Sequence, residues 1–129
     1  MVNEEYLMKI SLLEQEAKQA QEKLEAVKEQ ASDFEALKLS LERIDQNAGG
    51  EFLASLGKGI FVKSELKDKE LFVNIGNGII VKKNIKETLD IIDKQLATMQ
   101  EIKKEVQGVI QQVNEKLQEV FMEINGKEA

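Results

Sequence analysis

Apolar side chains recur every three or four residues through the first third of the chain: Tyr6, Ile10, Leu13, Ala17, Ala20, Leu24, Val27, Ala31 and Phe34. Alternating steps of three and four are the heptad seam of a helix packed along its length against another helix. The pattern predicts a helix over residues 3–46, roughly 65 Å long at ~1.5 Å per residue. The seam continues as Leu37, Leu41 and Ile44, and the step of three from Phe34 to Leu37 predicts a stammer that overwinds the coil. Asn47-Ala48-Gly49-Gly50 supplies the stop, with glycines free to take positive φ.

The last third repeats the pattern behind a start signal. Asn84 followed by Glu87 has capping-box spacing. Ile85, Leu89, Ile92, Leu96, Met99, Ile102, Val106, Ile110, Val113, Leu117, Val120 and Ile124 then form a second seam, predicted to end near Asn125-Gly126. Gly108 weakens this helix by ~1 kcal/mol relative to Ala. Folded back on each other, the seams pair positions whose numbers add to about 130: Ile44 with Ile85, Phe34 with Leu96, Leu24 with Val106, Leu13 with Leu117. Each pairing sets apolar against apolar and brings the two chain ends together. A lone amphipathic helix is marginal in water. Burying the shared seam, at ~1.5–3 kcal/mol for each large side chain, offsets the ordering entropy.

Between residues 48 and 83 the period drops to two. Runs at 52–56, 60–66, 71–75 and 79–82 are rich in Val, Ile, Phe and Leu. Gly57-Lys58-Gly59, Lys67-Asp68-Lys69-Glu70 and Gly76-Asn77-Gly78 separate them and read as hairpin turns. Two β-hairpins follow. Four short strands bury too little to stand alone, and their edges invite pairing with another chain. The expectation is an obligate oligomer, assembled through Phe52, Leu56, Ile60, Phe61, Val62, Leu71, Phe72, Val73, Ile75, Ile79 and Val81. The fold class is α+β, a helical coiled-coil hairpin with two small β-hairpins between its helices. Residues 1–129 read as one domain, divided into 1–47 (helix), 48–83 (assembly region) and 84–129 (helix).

Charge follows the same division. The chain has 24 acidic and 18 basic residues, a net charge of −6. Residues 1–47 carry −5 and residues 84–129 carry −3, whereas 48–83 carry +2 and six of the eight glycines. An acidic chain gains little from counterion release, so nucleic acid is not an expected partner. There is no cysteine for a disulfide or thiolate metal site, and no histidine as base or ligand. No apolar run reaches the ~20 residues that span a bilayer, and no segment reads as a signal peptide, so no membrane partner and a cytoplasmic location are expected. Gly57-Lys58-Gly59 lacks the spacing of a phosphate loop. Glu4-Glu5 and Glu14 with Glu16 fall on exposed helix, without a pocket for acid–base work. Neither cofactor, metal nor enzymatic activity is expected.

The order helix, two hairpins, helix resembles the α-class subunit of the prefoldin family, whose β class has one hairpin. The local match is Leu56-Gly57-Lys58-Gly59-Ile60-Phe61-Val62-Lys63, then Val73-Asn74-Ile75-Gly76-Asn77-Gly78-Ile79-Ile80-Val81, followed at once by a capped helix. The resemblance implies a hexamer of two α-class and four β-class subunits, with the strands in a double β-barrel and the coiled coils hanging from it. It implies capture of unfolded polypeptide at the coiled-coil tips without ATP, and transfer to a group II chaperonin. Some α-like relatives self-assemble into filaments instead, and a structural scaffold joined through its strands is the alternative.

A holding chaperone needs exposed apolar groups that accept many sequences. Candidates at the tip are Met1, Val2, Tyr6, Leu7, Met8 and Leu12 with Phe121 and Met122. Leu7, Met8, Leu12, Phe121 and Met122 lie off the seam. Methionine suits such a surface because its thioether is flexible and polarisable. The alternative is that these side chains close the tip on itself as an apolar plug.

Overall fold

The computed structural model describes residues 4–46 and 50–128, with side chains in the last helix described as far as residue 126. Two helices, α1 (Glu4–Gln46) and α2 (Ile85–Glu128), flank four strands: β1 (Glu51–Gly57), β2 (Ile60–Glu65), β3 (Leu71–Asn74) and β4 (Ile80–Lys83). The expected helix stop at Asn47-Ala48-Gly49 lies outside the described residues. At the start of α2 the Asn84 side-chain oxygen accepts the Glu87 backbone N–H at 2.7 Å, the expected cap. The Thr88 hydroxyl donates to the Asn84 carbonyl at 2.9 Å. At its other end α2 runs through Asn125-Gly126 to Glu128, past the predicted stop. A single glycine costs ~1 kcal/mol in a helix, and without a left-handed cap that is too little to end the ladder.

Contacts divide the chain into two compact units, residues 1–32 with 97–129, and residues 33–96. In the first, Ala20, Leu24 and Val106 form a buried cluster with Ile102 and Ile110 packed against it. In the second, Leu41, Ile85 and Ile92 are buried, with Phe34, Ile44, Leu89, Leu96 and Leu71 of β3 around them. Leu24 therefore meets Val106, and Ile44 and Ile85 share a cluster, as the antiparallel pairing requires.

The predicted stammer is absent. Leu37 is 45% exposed, and the half-buried residue after Phe34 is Lys38, followed by buried Leu41. The spacing is thus the regular four then three, with a lysine on a seam position. Apolar residues alone place the seam one residue back, at Leu37. Lys38 is tolerated because its stem packs while its ammonium reaches Asp93 on α2 at 2.7 Å. That hydrogen bond, and the charge of Asp93, hold the Lys38 pKa above its ordinary value. A polar group at a seam position favours one register over its neighbours. In α2 the seam is shared locally: Ile102 and Lys103 are both half-buried.

Strand β1 pairs antiparallel with β2, and β3 with β4, in two separate two-stranded sheets. Residues 67–70 are therefore a connector between sheets, not the hairpin turn expected. They contain no glycine or asparagine to take positive φ, and the runs on either side belong to different sheets. The connector is held by the Asp68 carboxylate, which accepts the Glu70 N–H at 2.9 Å. Lys69 donates to the carbonyl of Asp45 at the end of α1 and lies 3.5 Å from its carboxylate. The two true turns are left-handed throughout: Gly57, Lys58 and Gly59 all have positive φ, as do Gly76, Asn77 and Gly78. A bulge between Ser55 and Gly57 precedes the first turn, where the Ser55 hydroxyl accepts the Gly57 N–H at 3.3 Å. The edges of the strands differ by a residue from those expected, β4 beginning at Ile80 rather than Ile79.

The seam assignment makes a direct prediction. Ile92→Ala, at a side chain only 3% exposed, is expected to cost about 2–5 kcal/mol in denaturant unfolding. Leu37→Ala is expected to stay within about 0.5 kcal/mol.

Candidate functional site

Apolar side chains gather outside the core in two places, one in each unit. On the strands, alternation decides which residues share a face. Phe52, Ala54, Ile60 and Val62 fall on one face of the β1–β2 hairpin, since Phe52 pairs with Ser64 and Ala54 with Val62. The other face mixes Leu53 and Phe61 with Glu51, Ser55, Lys63 and Glu65. In the β3–β4 hairpin, Leu71, Val73 and Val81 share a face with Lys83, while Phe72, Asn74, Lys82 and Ile80 occupy the opposite one. The Lys82 ammonium lies 5.9 Å from the centre of the Phe72 ring and 3.8 Å from the Glu70 carboxylate.

Of the residues predicted for assembly, Leu56, Ile60, Phe61, Val62, Phe72, Ile75 and Ile79 are exposed. Phe52, Leu71, Val73 and Val81 are half-buried, Leu71 through its packing on the base of the helices. Leu53 and Ile80, beyond the assembly residues expected from the sequence, are equally exposed. Strict alternation could have found them: each stands on the mixed face, opposite the apolar one. Both hairpins therefore offer apolar groups on two faces.

The second surface lies where the start of α1 meets the end of α2. Leu7, Met8, Leu12, Phe121 and Met122 are all exposed, Met122 by 72%. Tyr6 is not: it is 9% exposed, drawn into the seam, with the Lys9 ammonium 5.8 Å from its ring centre. It is therefore out of reach of an incoming chain, because it occupies a seam position itself. Met1 and Val2 lie outside the described residues. Beside Leu12 runs a groove floored by Leu13 and Val120 and walled by Lys9, Lys116, Glu119 and Glu123. The exposed set does not form an apolar plug, since each of its five members keeps a large part of its surface in solvent.

Among the described residues no charged side chain is buried, no cluster of potential metal ligands occurs, and no helix is long and apolar enough to cross a membrane. Both surfaces leave apolar groups in solvent. The strands offer unpaired edges and apolar faces; the tip offers flexible thioethers and a phenyl ring without fixed geometry.

The prefoldin subunit family matches residues 13–128 of the chain. Among solved structures, the filamentous PFD from Methanocaldococcus jannaschii, determined by cryo-EM, superposes with a TM-score of 0.73 at 12% identity. The alignment covers 90% of this chain and 98% of that one. No curated protein matches.

If the strands are an interface, lysines at Val62 and Val73 would be buried there without partners. The double variant Val62→Lys, Val73→Lys is expected to lower the assembled mass measured by light scattering, while helix content by circular dichroism is retained.

Proposed function

The chain belongs to the prefoldin family, a family of non-enzymatic chaperones, and from that membership we propose that it is an α-class subunit which captures unfolded polypeptide at its coiled-coil tip. The strands join it to β-class subunits in a hexamer of two α and four β, and the captured chain passes to a group II chaperonin. The observation that carries this reading is the exposure of Leu7, Met8, Phe121 and Met122 beside a seam that is already complete without them. Solvent-exposed apolar groups of this kind mark binding surfaces. Methionines and leucines without polar partners impose little geometry, which suits clients of unrelated sequence.

Holding requires no nucleotide. Several weak tips on one assembly raise the effective concentration of each for a client already held by another, so affinity grows by avidity.

A second reading is a filament or scaffold subunit joined through its strands. It is favoured by the filamentous assembly of the M. jannaschii protein whose fold this chain shares. Mixing the chain with a β-class subunit and measuring mass by light scattering separates the two. A closed hexamer supports the chaperone subunit, and open-ended growth that ignores the partner supports the filament.

For capture, the combined variant Leu7→Ser, Met8→Ser, Phe121→Ser, Met122→Ser is expected to lose most of its suppression of client aggregation at unchanged assembled mass. Full protection by that variant would remove the tip from the account.

A further inference from the structure

We propose that the captured polypeptide seats on one flank of the tip, the flank of Leu7 and Phe121, and that it is a short extended apolar segment bounded by basic side chains. The inference rests on tip capture as read above and adds which side of the helical pair is used and what chemistry fits it.

In an antiparallel helical pair, residues that directly follow seam positions share one flank, and residues that directly precede them share the other. Leu7 follows Tyr6, and Phe121 follows Val120. Lys9, Leu12, Lys116, Glu119 and Glu123 each precede a seam residue. The structure bears out this sorting: the groove beside Leu12 is lined by those five residues together with seam residues Leu13 and Val120. A second groove further along the same unit obeys the rule, with Glu16, Gln19, Lys23, Glu105 and Val109 around Ala20 and Val106.

The two flanks differ in charge. An apolar segment laid over the Leu12 flank would cover Lys9, Lys116, Glu119 and Glu123, and removing four charges from water without new partners is costly. On the other flank, the positions that follow seam residues near Leu7 and Phe121 are Ser11, Asn114, Gln118 and Asn125, which are uncharged, with Glu14 as the one charged residue at its inner end. Glu4 and Glu14 bound this stretch on α1, and the one basic residue between them in sequence, Lys9, belongs to the Leu12 flank. Glu14 lies ten residues along the helix from Glu4, a rise of about 15 Å that matches roughly four or five residues of extended chain. Carboxylates at both ends of an apolar stretch complement lysine or arginine at both ends of the guest, and oppose acids there.

The test uses the assembled protein and two fluorescent peptides that share a five-residue apolar core, one bounded by lysines and the other by glutamates. Fluorescence anisotropy is expected to show tighter binding of the lysine-bounded peptide. Leu7→Ser with Phe121→Ser is expected to weaken it about tenfold or more, and Glu119→Gln to leave it unchanged. As a check that needs no folded variant at Leu7, a photo-reactive side chain at Ser11 is expected to cross-link reduced, carboxymethylated α-lactalbumin, and one at Gln112 is not. Equal binding of the two peptides, or cross-linking from Gln112 in place of Ser11, would overturn the flank assignment and leave tip capture standing. If neither position cross-links and the Leu7, Phe121 variant binds as tightly as the parent, capture at the tip fails with it.

Discussion

Burial of one apolar stripe on each helix against the other is the interaction on which the rest depends. Each helix has a single seam, and the structure spends both on the partner helix: Leu24 with Val106 in one unit, Leu41 with Ile85 and Ile92 in the other. Neither helix would persist alone in water. Once the stripes are matched, the large apolar residues of the helices that lie outside them stay exposed. Leu7, Met8, Phe121 and Met122 are therefore exposed because the seam is full, and their exposure follows from the same packing that makes the helices stable.

The strands are the converse case. Two hairpins of four to seven residues per strand have no sheet above them to cover their faces, and β1 and β2 keep most of their apolar side chains in solvent. Leu71 ties β3 to the helical core, and the Lys69 contacts tie the connector to the end of α1. These anchors position the hairpins without burying them. In the proposed function each kind of exposed surface has a use: strands that pair with other subunits, and a tip whose groups bind without demanding a fixed shape.

Much of this was legible in the residues. The helices, their antiparallel pairing, the Asn84 cap and the glycine turns are local or periodic signals, and each survives in the structure. The misses share one cause, the assumption that seam and strand partners must be apolar or adjacent. Lys38 holds a seam position because Asp93 receives its charge, so a pattern of apolar residues alone skips it and reads as a stammer. The charged run at 67–70 separates two strands as a turn does, but β2 and β3 belong to different sheets, and spacing alone does not say which neighbouring strands pair. Tyr6 was legible as a seam residue and so could not also be an exposed one. The chemistry of the tip was readable as composition, but its two unlike flanks emerged only once the grooves showed which residues stand side by side.

Hydrogen–deuterium exchange on the assembled protein, with and without a bound unfolded client, tests the division of labour most directly. The account predicts slow exchange across residues 51–83 in the assembly regardless of client. It also predicts new protection confined to the start of α1 and the end of α2 when client binds. Protection by client within the strands, with none at the tip, would contradict it.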